Sequence, residues 1–127
     1  MMLIMVVDDE TDIQLLFEQQ FRKEIRNDEL KFHFAFSGDE ALKTLQGELG
    51  TDLVLILSDV NMPDMSGLDL LRCIRQDRTD LPVFMITAYD DEGTYQEAME
   101  RGANDYIAKP IDFHALKQKI IAIRNSA

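Results

Sequence analysis

Short apolar runs alternate with amphipathic stretches along the whole chain. Leu3-Ile4-Met5-Val6-Val7 is continuously apolar and predicts a strand buried on both faces. Residues 11 to 27 carry Ile13, Leu16, Phe17, Phe21 and Ile25 at helical spacing, which predicts one amphipathic helix. From Leu30 to Phe36 the phenylalanines 32, 34 and 36 alternate with Lys31, His33 and Ala35, the pattern of a half-buried edge strand. Ser37 and Glu40 have capping-box spacing, and Ala41, Leu42, Leu45 and Leu49 continue a second helix. Leu53-Val54-Leu55-Ile56-Leu57 is another buried strand, running into Ser58-Asp59. Asn61 to Gly67 reads as a turn, with Ser66 placed to cap a helix bearing Leu68, Leu71 and Ile74. Pro82 to Ile86 predicts a fourth strand ending at Thr87. Asp90-Asp91 opens a helix with Tyr95, Ala98 and Met99, closed by Gly102. Asp105 to Ala108 predicts a short fifth strand before Lys109-Pro110, and Asp112 caps a last helix with Phe113, Leu116, Ile120 and Ile123.

Five β–α units in succession predict an α/β fold, a parallel five-stranded sheet with five helices divided between its two faces. Ligands in such sheets sit beyond the carboxyl ends of the strands. The 127 residues, 46% of them hydrophobic, suit a single domain over residues 1–127, with no repeat or Pro/Gly/Ser-rich linker. Lys and Arg total 13 against 24 Asp and Glu, a net charge of −11. That excess argues against a nucleic-acid backbone or an anionic membrane as a partner. The single cysteine, Cys73, excludes an internal disulfide, and with only two histidines a zinc site is not expected. The apolar run at the start is too short to span a bilayer and lacks a basic flank, so a cytoplasmic location is expected.

The predicted strand ends carry Asp8 and Asp9, then Asp59, Thr87 and Lys109. In a sheet whose first and third strands adjoin, Asp8, Asp9 and Asp59 converge, and their mutual repulsion calls for cations. Lys109 supplies one. A divalent ion with all-oxygen ligation supplies the remainder, and magnesium suits it better than zinc. Each residue alone has an ordinary explanation: an acidic pair caps a helix, Asp59 sits in a loop, Thr87 caps a turn, Lys109 is solvated and Tyr106 packs. All five at these strand ends in this order are harder to explain that way.

The segments Val6-Val7-Asp8-Asp9-Glu10, Ser58 to Gly67, Thr87-Ala88 and Gly102 to Pro110 together resemble the receiver domain of two-component response regulators. The resemblance covers Leu3 to about Ile123, and no motif position departs from the family pattern. It implies a flavodoxin-like three-layer sandwich of sheet order 2-1-3-4-5. It also implies Asp59 as phosphoacceptor, with Mg2+ (Mn2+ can substitute) held by Asp8, Asp9, Asp59 and the backbone carbonyl of Asn61. Thr87 and Ala88 would bind the phosphoryl group with Lys109, Tyr106 would be the aromatic switch, and the Lys109-Pro110 bond would be cis. Asn61 and Tyr89 would flank the hydrolytic water, so that bulky Tyr89 slows dephosphorylation.

The implied function is a phosphorylation-dependent switch rather than a turnover enzyme. A sensor histidine kinase or histidine phosphotransfer protein donates the phosphoryl group. The fourth predicted helix, fifth strand and fifth predicted helix, with Tyr95, Met99 and Ile107, then address an output domain or downstream protein; a homodimer is compatible with this. Moving such a switch needs roughly 3 to 5.5 kcal/mol of differential stabilisation. Three other classes have different requirements. A dinucleotide or flavin binder needs a Gly-rich phosphate loop where Asp8-Asp9-Glu10 stands. A haloacid-dehalogenase-type phosphatase needs a second Asp where Asn61 stands. A purely structural interaction module would show no metal-dependent phosphoryl uptake.

Overall fold

A computed structural model describes residues 1–88 and 92–126. Five strands are present: β1 (Met2–Val7), β2 (Leu30–Ala35), β3 (Leu53–Asp59), β4 (Val83–Ala88) and β5 (Asp105–Lys109). The helices are α1 (Asp12–Gln20), α2 (Arg22–Arg26), α3 (Gly38–Gln46), α4 (Gly67–Asp77), α5 (Glu92–Glu100) and α6 (Phe113–Asn125). All strand pairs are parallel and the sheet order is β2-β1-β3-β4-β5. The fold class read from the alternation therefore holds.

Strand alternation divides the core in two. Leu3, Met5 and Val7 of β1 face α3, α4 and α5 with Ile56, Val83, Met85, Leu70, Leu71, Ile74 and Ala98. Met2, Ile4 and Val6 face the other layer with Leu55, Leu57, Phe84, Ile86, Phe17, Leu116 and Ile120. The two faces of one continuous apolar run thus bury against different helix layers, which is why β1 shows no polar alternation. A register shift interrupts the β1–β3 ladder: Leu3 pairs with Leu53 but Ile4 with Leu55. Val54 and Leu55 consequently pack on the same side.

Two expectations need correction. The single helix over 11–27 is broken at Phe21, whose φ of −108° and ψ of 20° separate α1 from α2 and raise the helix count to six. Phe21 keeps its amide bond to the Phe17 carbonyl (2.9 Å), and both rings are buried in an aromatic cluster with Phe32 and Phe113. Tertiary packing of that ring overrides helical continuity there. Leu49 does not continue α3, because the helix ends at Gln46 with Gly47 extended. A 3-10 turn over Glu48–Thr51 leaves Leu49 40% exposed.

The caps read from the sequence are formed. Ser37 Oγ accepts from Glu40 N–H (3.1 Å), Ser66 Oγ from Asp69 N–H (3.2 Å) and Asp112 Oδ1 from Ala115 N–H (3.1 Å). Gly102 follows α5 at φ +103°, a left-handed conformation that closes a helix without β-carbon strain. Asp90 and Asp91, expected to open α5, lie outside the described residues.

Candidate functional site

The strand register assembles the site. Val7 pairs with Ser58, so Asp8 and Asp59 leave adjacent strands side by side. Asp59 pairs with Ile86, which brings Thr87 next to it, and Ala88 pairs with Lys109 on β5. Oxygens of Asp8, Asp9 and Asp59 lie within 4.8 Å of one another. Asp8 and Asp59 are buried and Asp9 is exposed. Lys109 Nζ stands 3.1 Å from Asp59 Oδ1 and 3.8 Å from Asp8 Oδ2.

Electrostatics follow from that burial. Desolvation pushes the Asp8 carboxyl above its ordinary value, and Asp59 adds to the shift; the amide of Glu10, donating to Asp8 Oδ1 at 2.9 Å, opposes it. Desolvation likewise raises Asp59, against the neighbouring Lys109 ammonium and a bond from the Asn61 amide. Burial disfavours the charged form of Lys109, but Asp59, Asp8 and Glu10 outweigh it and hold the ammonium above its ordinary value. One ammonium facing three carboxylates leaves the cluster under-neutralised. The short Lys109–Asp59 contact is an ion pair without hydrogen-bond alignment, and Asp59 Oδ1 keeps acceptor capacity. An all-oxygen, anionic and partly buried donor set fits a hard divalent cation such as magnesium.

Thr87 is fully buried at the end of β4, and among the described residues its Oγ1 meets no hydrogen-bond partner. A buried hydroxyl without a partner costs about 1–3 kcal/mol. Such a group therefore points to an acceptor that arrives from outside. Tyr106 on β5 is half-buried, stacks on Tyr95 of α5 at 4.9 Å and 19°, and donates its hydroxyl to the Ala88 carbonyl at 3.4 Å. The Lys109–Pro110 peptide is cis. Asn61 is exposed two residues past Asp59, on which its amide donates. Tyr89 lies outside the described residues.

Two contributors were not legible as site residues. Gly67 opens α4 with its amide on the Val60 carbonyl (2.8 Å), and a β-carbon there would overlap the Asp59 carbonyl. Its turn-like sequence context gave the loop but not that contact. The Glu10 amide that anchors Asp8 carries no side-chain signal.

The family model for the response regulator receiver domain matches residues 4–121. Chemotaxis protein CheY-3 of Vibrio cholerae is 35% identical over 121 residues, covering 94% of this chain and 88% of that protein. Transcriptional regulatory protein CitT of Halalkalibacterium halodurans is 35% identical over 122 residues, covering 94% of this chain and 50% of that protein. Against the first curated relatives the chain spans between 22% and 50% of their length. Among solved structures, a receiver domain protein of Clostridium thermocellum superposes with a TM-score of 0.82 at 29% identity, covering 98% of this chain and 93% of that one.

Proposed function

Because the chain belongs to the response regulator receiver domain family, we propose that Asp59 is its phosphoacceptor. Membership of that family supports a role for this domain in two-component signalling, as a switch rather than a turnover enzyme. The observation that carries the finer reading is Asp59 buried between Asp8 and Lys109, beside a Thr87 hydroxyl that has no hydrogen-bond partner among the described residues.

A carboxylate oxygen of Asp59 attacks the phosphorus of a phosphohistidine on a sensor kinase or phosphotransfer protein. The P–O bond forms as the P–N bond breaks, and the imidazole leaves with the electron pair. Lys109 stabilises the equatorial oxygens as charge develops. Asp8, Asp9, Asp59 and the Asn61 carbonyl would hold Mg2+, which when bound would supply the electrostatic neutralisation that a single lysine cannot.

The Thr87 hydroxyl then donates to a phosphoryl oxygen, with the Ala88 backbone beside it. As Thr87 turns inward, Tyr106 exchanges its place against Tyr95 for a more buried one. The face of α5, β5 and α6, where Tyr95 and Met99 are exposed while Ile107 is buried in the core beneath, transmits that change to an output domain or partner. Asn61 and Tyr89 tune the water that hydrolyses the acyl phosphate. Residues 1–127 form one receiver domain, stand-alone or within a longer regulator. It acts in the cytoplasm; among the described residues no helix is long and apolar enough to cross a membrane.

The test is intact mass after incubation with acetyl phosphate, with and without magnesium, beside Asp59→Ala. A magnesium-dependent gain of one phosphoryl group, absent in the variant, is the expected result. A gain that survives Asp59→Ala would overturn the assignment.

A further inference from the structure

The loop from Val60 to Gly67 presents Asn61, and the side chain of Met65 seats its outer turn on α3. Asp64 takes φ +67°, a left-handed conformation that Asp tolerates, and the Met65 amide donates to the Pro63 carbonyl at 2.7 Å. That reversal returns Met65 to the core layer shared by α3 and α4, where it is half-buried. Against it lies Gly38, the first residue of α3. A β-carbon on Gly38 would stand 2.5 Å from Met65 Sδ, 3.0 Å from Cγ and 3.1 Å from Cβ. The root of the side chain is nearly as close as its sulfur, so a swing of the thioether alone does not clear the overlap.

The start of α3 is in turn tied to the carboxylates. The Asp8 amide donates to the Ala35 carbonyl at 3.1 Å, and two residues on Ser37 caps α3. Met65 on Gly38 therefore couples the Asn61 loop to the strand end that bears Asp8 and Asp9. The bond from the Gly67 amide to the Val60 carbonyl closes the base of the loop but leaves Asn61, Pro63 and Asp64 exposed. We propose that Met65 is a positioning residue: seated on Gly38, it holds the Asn61 carbonyl in register with Asp8, Asp9 and Asp59. The inference rests on the reading of that cluster as a magnesium site. A neutral thioether is no ligand for a hard cation, so Met65 acts through packing alone.

Two readouts on the full, 15N-labelled chain test it: hydrogen exchange at the Asn61 amide without metal, and a magnesium titration followed at the Asp9 amide. Met65→Ala is expected to speed exchange at Asn61 about five- to tenfold. It should weaken magnesium about tenfold, the lower end of what losing a group that orients a ligand costs. Gly38→Ala, which displaces Met65, should weaken magnesium as well, yet add nothing in the Met65→Ala background. Leu45→Ala opens a cavity in the same core layer, two turns along α3 from Gly38. It should lower stability to urea while leaving Asn61 exchange and magnesium affinity unchanged. Parent-like exchange and affinity in Met65→Ala, additive losses in the double variant, or equal losses in Leu45→Ala overturn the proposal. A parent protein that takes up no magnesium fails differently: it overturns the metal-site reading, and the proposal with it.

Discussion

Gly67 packs its α-carbon directly against the main-chain carbonyl of Asp59, leaving no room for a β-carbon between α4 and the end of β3. The amide of Gly67 bonds the Val60 carbonyl at 2.8 Å, so the loop from Val60 to Ser66 is closed at its base. This closure fixes where Asp59 and Asn61 present their groups. The obstructing atom is backbone and cannot turn aside as a side chain would. Gly67→Ala is therefore expected to destabilise the fold by about 2–4 kcal/mol and to slow phosphoryl uptake in the folded fraction. Urea unfolding followed by circular dichroism checks the first part; a loss below about 0.5 kcal/mol would show that the loop yields.

The buried carboxylates make metal-free stability depend on pH. Asp8 and Asp59 are raised above 3.8 by desolvation first, so between 3.8 and their folded values the native state binds more protons than the unfolded one. Stability from these two groups is therefore greatest below 3.8 and falls as pH rises through the folded values. Lys109 acts on the opposite limb: raised above 10.5, it contributes stability that is lost only as pH climbs past that value. In a chelator, Asp8→Asn keeps the acceptor for the Glu10 amide while removing one buried charge. It should raise stability at pH 7 by about 1 kcal/mol and flatten the dependence between pH 4 and 7. Magnesium should stabilise the parent protein and leave the variant nearly unchanged. A variant that is less stable than its parent without metal would contradict the argument.

Thr87 makes a contrasting case, in which stability and signalling oppose each other. Its hydroxyl is buried without a partner among the described residues. Thr87→Val preserves shape and removes the orphaned group, so the unphosphorylated protein should gain about 1 kcal/mol. The same change deletes the donor proposed for the phosphoryl oxygen. Phosphorylated Thr87→Val should retain its acyl phosphate yet leave the Tyr106 environment unmoved, read by tyrosine ring NMR before and after acetyl phosphate. A Tyr106 signal that shifts as in the parent would remove Thr87 from the relay.

Much of this arrangement is written in local pattern. Apolar runs ending in Asp8-Asp9, Asp59, Thr87 and Lys109 mark the strands and the pole that carries polar groups. Once the order β2-β1-β3-β4-β5 is known, those ends must converge. What local pattern lacks is any record of long-range packing. The break at Phe21 depends on Phe32 and Phe113, distant in sequence, and the Val54 register shift depends on β1. The burial of Thr87, without a hydroxyl partner among the described residues, and the closeness of Gly67 to Asp59 are likewise properties of juxtaposed elements. Leu49 keeps the helical period of α3 and misleads, because Gly47 ends the helix before it.

Arg75 offers a last test, of how β4 and β5 are held at their starts. From α4, its Nε donates to the Gly102 carbonyl at 3.0 Å, Nη1 to the Arg78 carbonyl at 3.0 Å, and Nη2 to Asn104 Oδ1 at 2.8 Å. That same Asn104 oxygen accepts the Val83 amide at 2.9 Å, so one guanidinium braces α4, the first residue of β4 and the turn into β5. Desolvation lowers its pKa below the ordinary guanidinium value, against the nearby Asp80 carboxylate. Arg75→Met keeps much of the aliphatic stem but removes all three donated bonds. The expected cost is about 1–3 kcal/mol, with faster hydrogen exchange at the Val83 and Asn104 amides. Asn104→Ala should cost less, and the double variant less than the sum, because the two share one bond. Strict additivity in that cycle would mean the Arg75–Asn104 bond contributes nothing.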